Sequence, residues 1–373
     1  MLYYIWLTTI KGIGPISQKN LLKYFRTPEN IFRANEKEIK NVVGIGDTLF
    51  GFIRGKNLDD AQIILDKCDK LNIKILTYND ELYPERVKEL ASSPIVLYYR
   101  GTIRRNAMGV GIVGSRKCTD YGKEVVKEAV TYLAENDITV ISGMAKGIDG
   151  YAHTACLMAN GYTLAFLGNS VDICYPKEHA RLMDSIVENG AVISEYPPTT
   201  GVRAEHFPRR NAIISSFSNK LLVVEAAHKS GALITARCAK ELKREVYAAP
   251  NSIYSKNSYG ANRLIKGGAK IYLKPSQLLD NPGKDIFDGI IEKAKDNNHK
   301  KEENALETLD AGQMIYSPME MKILDFVKDN PKTLGQIADH LNCNEVEILD
   351  IISILEISGD IRTLPGGKIC CEG

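Results

Sequence analysis

"ITVISGMAKGIDGYAH", residues 138–153, places a continuous apolar run directly before a glycine-rich turn and a helical pattern. An apolar run without alternation is typical of a parallel strand that is covered on both faces. The turn is neither a GxGxxG nor a Walker loop, but its glycines can present backbone N–H groups to an anion. We therefore predict a strand-to-helix junction with an anion-binding turn formed by Ser142, Gly143, Lys146 and Gly147.

The same order of strand, turn and helix extends over residues 72–275. The apolar runs predicted as strands are 73–76, 95–99, 109–113, 138–142, 163–168, 191–196, 220–226, 245–250 and 270–273. The helical patterns between them include 121–135, 148–159, 178–189 and 231–243. This alternation predicts an α/β fold, an extended Rossmann-like doubly wound sheet whose ligands bind beyond the carboxyl ends of the strands.

The predicted core spans residues 66–280, and the segments next to it on either side differ in composition. Residues 1–65 are predicted to be a helical module of the SAM or helix-hairpin-helix type, with glycine turns at 11–15 and 43–47. Those turns either contact a DNA backbone phosphate or only permit close helix packing. Residues 281–315 are polar and charge-rich, which indicates a linker with some helical content.

Residues 316–373 contain three helical patterns and a short hairpin, which predict a winged helix-turn-helix. Ser317 is the expected N-cap of the first helix. The second and third helices are acidic at Asp339, Glu345, Glu347, Asp350 and Glu356. Because a helix in a DNA groove normally carries Arg or Lys, this pattern favours contact with a protein over contact with DNA.

Composition excludes several classes of protein. The formal net charge is only +2, so nucleic-acid binding would have to come from local patches. The eight cysteines include no CxxC pair, which indicates neither a metal site nor a disulfide framework and suits a reduced, cytoplasmic setting. We find no membrane span, signal peptide or P-loop, and we predict no cofactor.

Arg116 follows the predicted strand 109–113 in the turn that begins with Gly114 and Ser115. A guanidinium at the mouth of a sheet matches phosphate geometry with two parallel hydrogen bonds. The alternative is an ion pair with a nearby carboxylate. We favour phosphate.

Residues 199–213 are predicted to be a basic loop around one aromatic residue. Phe207, Arg209, Arg210 and Asn211 belong to its "FPRRN" stretch, and such a mixture suits single-stranded nucleic acid: cations follow the backbone while a ring stacks on a base. The alternative is a solvated basic loop without a ligand.

Further anion-friendly positions also follow predicted strands: Ser230, Gly231, Thr235 and Asn262. All of these junctions fall on one edge of the sheet. Their number exceeds what is needed to bind one mononucleotide, so we expect a nucleic-acid strand there. His153 is expected to be a structural hydrogen-bonding residue, and Asp149 the cap of its helix.

Glu195 and Glu225 each end a predicted strand at the same edge. They are the candidate acid–base pair of an enzyme, or they orient arginines at this edge by ion pairing, which we favour.

Several motifs together resemble the DNA-processing protein A family, also called DprA or Smf. The resemblance covers roughly residues 80–275, in the order "VGSRKCTDYG", "SGMAKGIDGYAH", "YPKEHARLM", "ISEYPP", "FPRRN", "VVEAAHKSGALITA" and "GANRLIKGGA". It implies a dimer that binds and protects single-stranded DNA during natural transformation or DNA recombination and loads the RecA recombinase, without an established catalytic activity. By motif it also implies DNA contacts from Arg116, Lys177, Phe207, Arg209 and Arg210.

The sequence departs from the pattern of that family at three places. Asn169–Ser170 replaces a glycine-bearing turn, Ala212 a basic residue, and Asn251 a glycine. Each departure touches the edge of the expected pocket.

Two other functions are possible. A nucleotide-processing enzyme of the phosphoribohydrolase-like class would need a "PGGxGTxxE" signature, where this chain has "KSGALITA". A scaffold that binds proteins through its acidic winged helix is the third hypothesis.

Overall fold

The computed structural model describes residues 1–46, 50–51, 53, 56–105, 108–279, 318–341, 343, 345, 348, 351–352, 355–356, 360–364 and 367–371. The chain divides into two compact units, Met1–Gly283 and Lys284–Gly373. The predicted linker, Ser317 and most of the predicted third helix of the second unit, including Glu347 and Asp350, lie outside the described residues.

Short helices open the first unit, as predicted for this segment. They are α1 (Leu2–Thr9), α2 (Pro15–Phe25), α3 (Pro28–Arg33), α4 (Glu36–Lys40) and α5 (Asp59–Lys70). Trp6, Leu21 and Ile31 are buried in one apolar cluster with Tyr98 and Val192 of the sheet. Burying a side chain of this size contributes about 1.5–3 kcal/mol, so this contact fixes the helices on one face of the sheet.

Nine strands of the described part of this unit form one sheet. They are β1 (Lys74–Thr77), β2 (Val96–Gly101), β3 (Gly109–Val113), β4 (Thr139–Ser142), β5 (Thr163–Phe166), β6 (Gly190–Ser194), β7 (Ser218–Val223), β8 (Glu245–Ala248) and β9 (Lys270–Ile271). The helices around it are α6 (Asp120–Glu135), α7 (Ile148–Met158), α8 (Ala180–Asn189), α9 (His206–Phe217), α10 (Gly231–Glu241) and α11 (Tyr259–Lys266). Each predicted strand overlaps an observed one.

The sheet order is β1-β2-β6-β5-β4-β3-β7-β8-β9. The strands from β6 to β9 in this order are parallel, whereas β2 runs antiparallel to β6 and pairs with β1 at the edge. The chain moves outward from β3 to β6 on one side and from β7 to β9 on the other. The order therefore reverses between β3 and β7, which is where ligands of doubly wound sheets bind.

Both faces of the sheet are covered, as the continuous apolar runs predicted. Along β7, Leu221 and Val223 belong to one buried cluster, while Leu222 and the following Val224 belong to another. Because successive side chains of a strand point to opposite faces, this alternation shows one strand contributing to two cores.

The predicted loop at 199–213 is wrong in its second half, because α9 begins at His206. Pro208 falls in the first turn of this helix, where a missing N–H breaks no intrahelical hydrogen bond. The buried positions Arg210, Ile213, Ile214 and Phe217 follow helical spacing.

The second unit contains α12 (Pro318–Val327), β10 (Lys332–Thr333), α13 (Leu334–Leu341), β11 (Ile361–Leu364) and β12 (Lys368–Cys371). Its strands form an antiparallel sheet in the order β10-β12-β11. Ile323, Ile337 and Ile369 lie in its core. Throughout the described part of the chain, no helix has the length and apolar character that a bilayer crossing requires.

Candidate nucleic-acid interface

Two adjoining depressions lie beyond the carboxyl ends of the parallel strands. The first, here called the aromatic cleft, encloses about 100 Å³ and is lined by Arg116, Lys146, Tyr175, Phe207 and others. The second, the switch-point crevice, encloses about 560 Å³ between the turns after β3 and β7. Arg116 lines both and therefore stands between them.

The turn after β3 holds Arg116 outward. The Ser115 hydroxyl donates to the carbonyl of Lys117 at 3.0 Å and accepts from its N–H at 3.1 Å, which fixes the turn. Arg116 is exposed, and no carboxylate of the described residues lies within ion-pair distance of it. A Cβ on Gly114 would lie 2.6 Å from Ile148 Cγ1, so glycine permits this turn to approach α7.

The turn after β4 touches the turn after β3. Gly147 has φ +78°, and a side chain there would press on the carbonyl of Ser115. The Ile148 N–H donates to that carbonyl at 3.1 Å. Gly147 occupies the N-cap of α7, so the prediction that Asp149 caps this helix is wrong; Asp149 is its second residue. Lys146 is exposed and forms an ion pair with Glu178.

Arg210 lies beneath the two depressions and is only 4% exposed. One terminal nitrogen donates to the carbonyls of Gly143 and, at 3.0 Å, Phe166. Any side chain on Gly143 would collide with this guanidinium. Arg210 therefore shapes the backbone of the turn after β4, a role that the basic-loop interpretation did not include.

Asp149 and Ser142 complete the buried layer around Arg210. Burial raises the pKa of Asp149, and the Arg210 charge opposes that increase. Ser142 is fully buried and donates to the carbonyl of Ile112 at 2.6 Å, so its side chain joins β4 to β3.

His153 is fully buried on α7, and its Nδ1 lies 2.7 Å from Thr163 Oγ1. The Thr163 hydroxyl donates to the carbonyl of Val140 at 2.8 Å. Its oxygen therefore accepts from His153, whose Nδ1 carries the proton. Burial, assisted by the charges of His179 and Arg210, lowers the pKa of His153 to about 3. The predicted structural role of His153 is confirmed.

Phe207 forms one wall of the aromatic cleft. Its half-buried ring lies 6.1 Å from the ring of Tyr175, and the guanidinium carbons of Arg116 and Arg210 lie 5.5 and 5.6 Å from its centroid. Such distances allow cation–π attraction. Lys177 is exposed on the short 3₁₀ helix that follows Tyr175.

The two candidate glutamates have different partners. Glu195, whose side chain is 7% exposed, binds Arg209 with 2.6 Å between Oε2 and Nη2. Burial raises the pKa of Glu195, and the Arg209 charge opposes it. Glu195 thus orients an arginine, as expected. Glu225 instead accepts from the N–H and hydroxyl of Thr119 at 2.9 and 2.6 Å and fixes the start of α6, a role that the sequence interpretation missed.

The switch-point crevice brings together Asn211, Ser230, Gly231 and Thr235. Ser230 is the N-cap of α10, and its hydroxyl accepts from the Ala232 N–H at 3.3 Å. Asn211 donates to the carbonyl of Gly231 at 3.3 Å, whereas Thr235 is almost fully buried.

Two residues near the crevice extend or alter the predicted set. Lys229, directly before the Ser230 cap, lines the crevice and was missed, although a cation beside a helix N-terminus was a readable signal. Asn262 is engaged elsewhere: it donates to the carbonyl of Asn251 at 2.8 Å and accepts from its N–H at 3.2 Å.

Where side chains are described, no group of three His, Cys, Asp or Glu residues could hold a metal ion.

The chain is similar in sequence to a known protein family. A family model described as DNA recombination-mediator protein A matches residues 74–282. Protein Smf of Synechocystis is 38% identical over 288 residues, which cover 75% of this chain and 72% of that protein. DNA processing protein DprA of Streptococcus pneumoniae is 34% identical over 266 residues, which cover 71% of this chain and 93% of that protein.

Two solved structures are also similar. The crystal structure of DNA processing protein A from Streptococcus pneumoniae superposes with a TM-score of 0.66 at 30% identity and covers 76% of this chain and 98% of that one. A structure of DNA processing protein A from Helicobacter pylori, which concerns the single-stranded DNA binding mode of that protein, gives a TM-score of 0.50 at 26% identity and covers 55% and 93%.

Proposed function

The chain belongs to the DNA recombination-mediator protein A family, and from that membership we propose that it binds single-stranded DNA across the aromatic cleft. Arg116 binds a backbone phosphate, and the Phe207 ring stacks on a base. The similar protein from Helicobacter pylori binds single-stranded DNA, which supports this assignment. The rest of the proposed contact set consists of Gly114, Ser115, Lys146, Gly147, Lys177, Arg209, Asn211, Ser230 and Gly231. The other predicted contacts, Ser142, Gly143, Arg210 and Thr235, are buried, and Asn262 is bound to Asn251, so these five residues support the site from within the protein.

One observation carries the proposal: an exposed guanidinium without a carboxylate partner among the described residues lies against a half-buried ring at the mouth of a cleft. A cation next to an aromatic face is what an unpaired nucleotide requires, because its phosphate needs charge and its base needs a stacking surface. A duplex hides the faces of its bases and cannot use the ring. The arrangement therefore favours single strands.

The family membership supports a wider proposal. We propose that the protein protects incoming single-stranded DNA and loads RecA onto it in the cytoplasm, during natural transformation or recombination, as a homodimer without catalytic activity. Residues 1–65 act as a SAM-like module, 66–280 as the DNA-binding core, 281–315 as a linker and 316–373 as a winged helix. The engagement of Glu225 by Thr119 gives no support to the phosphoribohydrolase-like alternative.

Fluorescence anisotropy with single- and double-stranded oligonucleotides across a salt series tests the DNA site. We expect Arg116→Ala to weaken binding of oligo-dT about tenfold and to reduce the slope of log K against log salt by about 0.7, the value for one phosphate on a single strand. Phe207→Ala should cost ~1–3 kcal/mol of binding free energy through lost stacking.

Arg104 provides a matched control. Its guanidinium carbon also lies over an aromatic ring, 4.2 Å from the centroid of Tyr162, but it pairs with Asp137 just before β4, at the amino edge of the sheet. Arg104→Ala should leave DNA affinity unchanged. Equal losses from Arg104→Ala and Arg116→Ala, or tighter binding of duplex than of single strands, would contradict the proposal.

A further inference from the structure

The turn after β5 is a part of the aromatic cleft to which the proposed contacts give no role. It contributes Leu167, Gly168 and Asn169 to the lining. A Cβ on Gly168 would lie 3.2 Å from Phe207 Cδ1, so this turn lies directly beside the ring that we propose stacks on a base. Asn169 therefore borders the space that such a base would occupy.

The side-chain amide of Asn169 has one fixed orientation. Its Nδ2 donates to the carbonyl of Ser170 at 2.9 Å and to that of Ile173 at 2.6 Å. Because both neighbours are carbonyl oxygens, the amide nitrogen must face them and Oδ1 must point away from them. No described residue donates to Oδ1, although Asn169 is only 1% exposed. This oxygen is also not among the polar atoms that the described structure seals from solvent without a partner, so it is an open acceptor at the cleft.

Further hydrogen bonds hold the turn in place. The N–H and the hydroxyl of Ser170 both donate to the carbonyl of Thr200, at 3.0 and 3.1 Å. The Asp172 carboxylate accepts from the Thr199 N–H at 3.2 Å. A preorganised acceptor loses little conformational entropy when it binds a ligand, so more of its hydrogen-bond energy remains as affinity.

An open acceptor beside a stacking ring suits the Watson–Crick edge of an unpaired base. Every base carries an N–H donor on that edge: N6–H in adenine, N4–H in cytosine, N1–H in guanine and N3–H in thymine. One acceptor can therefore bind any base, which suits a site without sequence preference. In a duplex the same donors are engaged by the opposite strand, so the acceptor distinguishes unpaired from paired bases.

We propose that Asn169 is a specificity-determining residue: its Oδ1 accepts a hydrogen bond from the Watson–Crick edge of the base that stacks on Phe207, and the cleft thereby selects unpaired bases. This inference rests on the proposed single-stranded DNA binding and adds a residue and an interaction that stacking does not include. In oligo-dT the donor is N3–H, because thymine has no other N–H on this edge. Stacking accepts any flat ring, whereas the Asn169 hydrogen bond requires a donor.

A thymine isostere separates the two interactions in the native protein. The base analogue 2,4-difluorotoluene has the shape and the aromatic face of thymine, but C–H replaces N3–H and C–F replaces each carbonyl. We expect an oligonucleotide of this isostere to bind about tenfold more weakly than oligo-dT of the same length, since Oδ1 is then desolvated without a partner. Fluorescence anisotropy measures both affinities. Equal affinities would overturn the proposal.

Asn169→Ala shows whether the difference comes from this side chain. The variant should bind oligo-dT about tenfold more weakly than the native protein and should no longer distinguish it from the isostere. Asn136→Ala is the matched control, because that amide also donates to a carbonyl, of Tyr132 at 2.8 Å, but lies at the C-terminus of α6. It should leave both affinities unchanged. If Asn169→Ala distinguishes the two oligonucleotides as strongly as the native protein does, the assignment to Asn169 is wrong.

Phe207→Ala distinguishes failure of this inference from failure of the proposed site. Loss of oligo-dT binding in Phe207→Ala, with equal affinities of the native protein for oligo-dT and the isostere, would reject recognition of the base edge and retain stacking. Unchanged oligo-dT binding in both Phe207→Ala and Arg116→Ala would reject the site itself. The isostere measurement uses the native protein, so it decides the inference even if Asn169→Ala does not fold.

Discussion

Two regions near the carboxyl edge of the sheet both contain charged or titratable side chains, but those of one region are buried and those of the other are exposed to solvent. The floor consists of the buried Asp149 and Arg210, which line the switch-point crevice, and of His153, which is buried on α7 close enough to Arg210 to feel its charge. The open rim consists of Arg116, Lys117 and Lys177, all exposed and without a carboxylate in ion-pair distance among the described residues. Arg210 donates to backbone carbonyls, whereas Arg116 lies against a ring and faces solvent.

The comparison shows that a cation near a site has one of two functions, and burial decides which. A buried guanidinium must direct its donors at protein acceptors, because an unpaired buried polar group is costly. An exposed guanidinium keeps its donors for a ligand. Substitutions in the floor should therefore change stability first, and substitutions in the open rim should change binding alone.

The largest effect is expected from Arg210→Met, which keeps much of the volume and removes the donors. The carbonyls of Gly143 and Phe166 lose their partner, and the buried Asp149 loses the nearby positive charge. We expect the free energy of unfolding to fall by about 3–5 kcal/mol in urea denaturation. Arg209→Ala, one residue away and exposed, should change it by no more than about 1 kcal/mol; similar losses in both variants would remove the distinction between floor and rim.

A smaller effect on stability is expected from the titration of His153. Its pKa falls from about 6.5 unfolded to about 3 folded, so between these values the unfolded state binds more protons. Stability therefore decreases as the pH falls below about 6.5, by up to about 1.4 kcal/mol per pH unit from this group. His153→Gln should be less stable overall and should show a shallower decrease between pH 6.5 and 5 in chemical denaturation. If the dependence of stability on pH is the same in His153→Gln as in the native protein, the lowered pKa of a buried His153 is contradicted.

The smallest effect is expected at the boundary between the two regions, where Glu195 binds Arg209. Glu195→Gln removes the carboxylate that competes with phosphate for this arginine. We expect oligo-dT to bind about threefold more tightly, a gain of roughly 0.6 kcal/mol, with a steeper salt slope. Adding Arg209→Ala should cancel the gain. A Glu195→Gln variant with native affinity and slope would show that Arg209 stays unavailable to DNA for another reason.

Sequence patterns predicted the framework well, for a physical reason. Parallel strands covered on both faces need continuous apolar runs, so the runs from β3 to β8 marked strands, while β1, β2 and the edge strand β9 were marked by short apolar runs alone. The helix α9 was missed because the basic residues around Phe207 were interpreted as a loop, although the apolar spacing from Ile213 to Phe217 was readable. The antiparallel pairing of β2 with β6 was also missed, since strand direction depends on the path of the chain and leaves no mark on an apolar run.

The sequence alone determined the alternation of strand and helix, the glycine turns at the strand ends and the family membership that these motifs indicate. Tertiary structure alone decided which arginine is buried, which carboxylate meets Arg209 and which meets Thr119. These outcomes depend on distances between residues far apart in the chain, such as 67 positions between Gly143 and Arg210 and 106 between Thr119 and Glu225. Local propensity is set by neighbours in sequence, whereas burial and electrostatic pairing are set by neighbours in space.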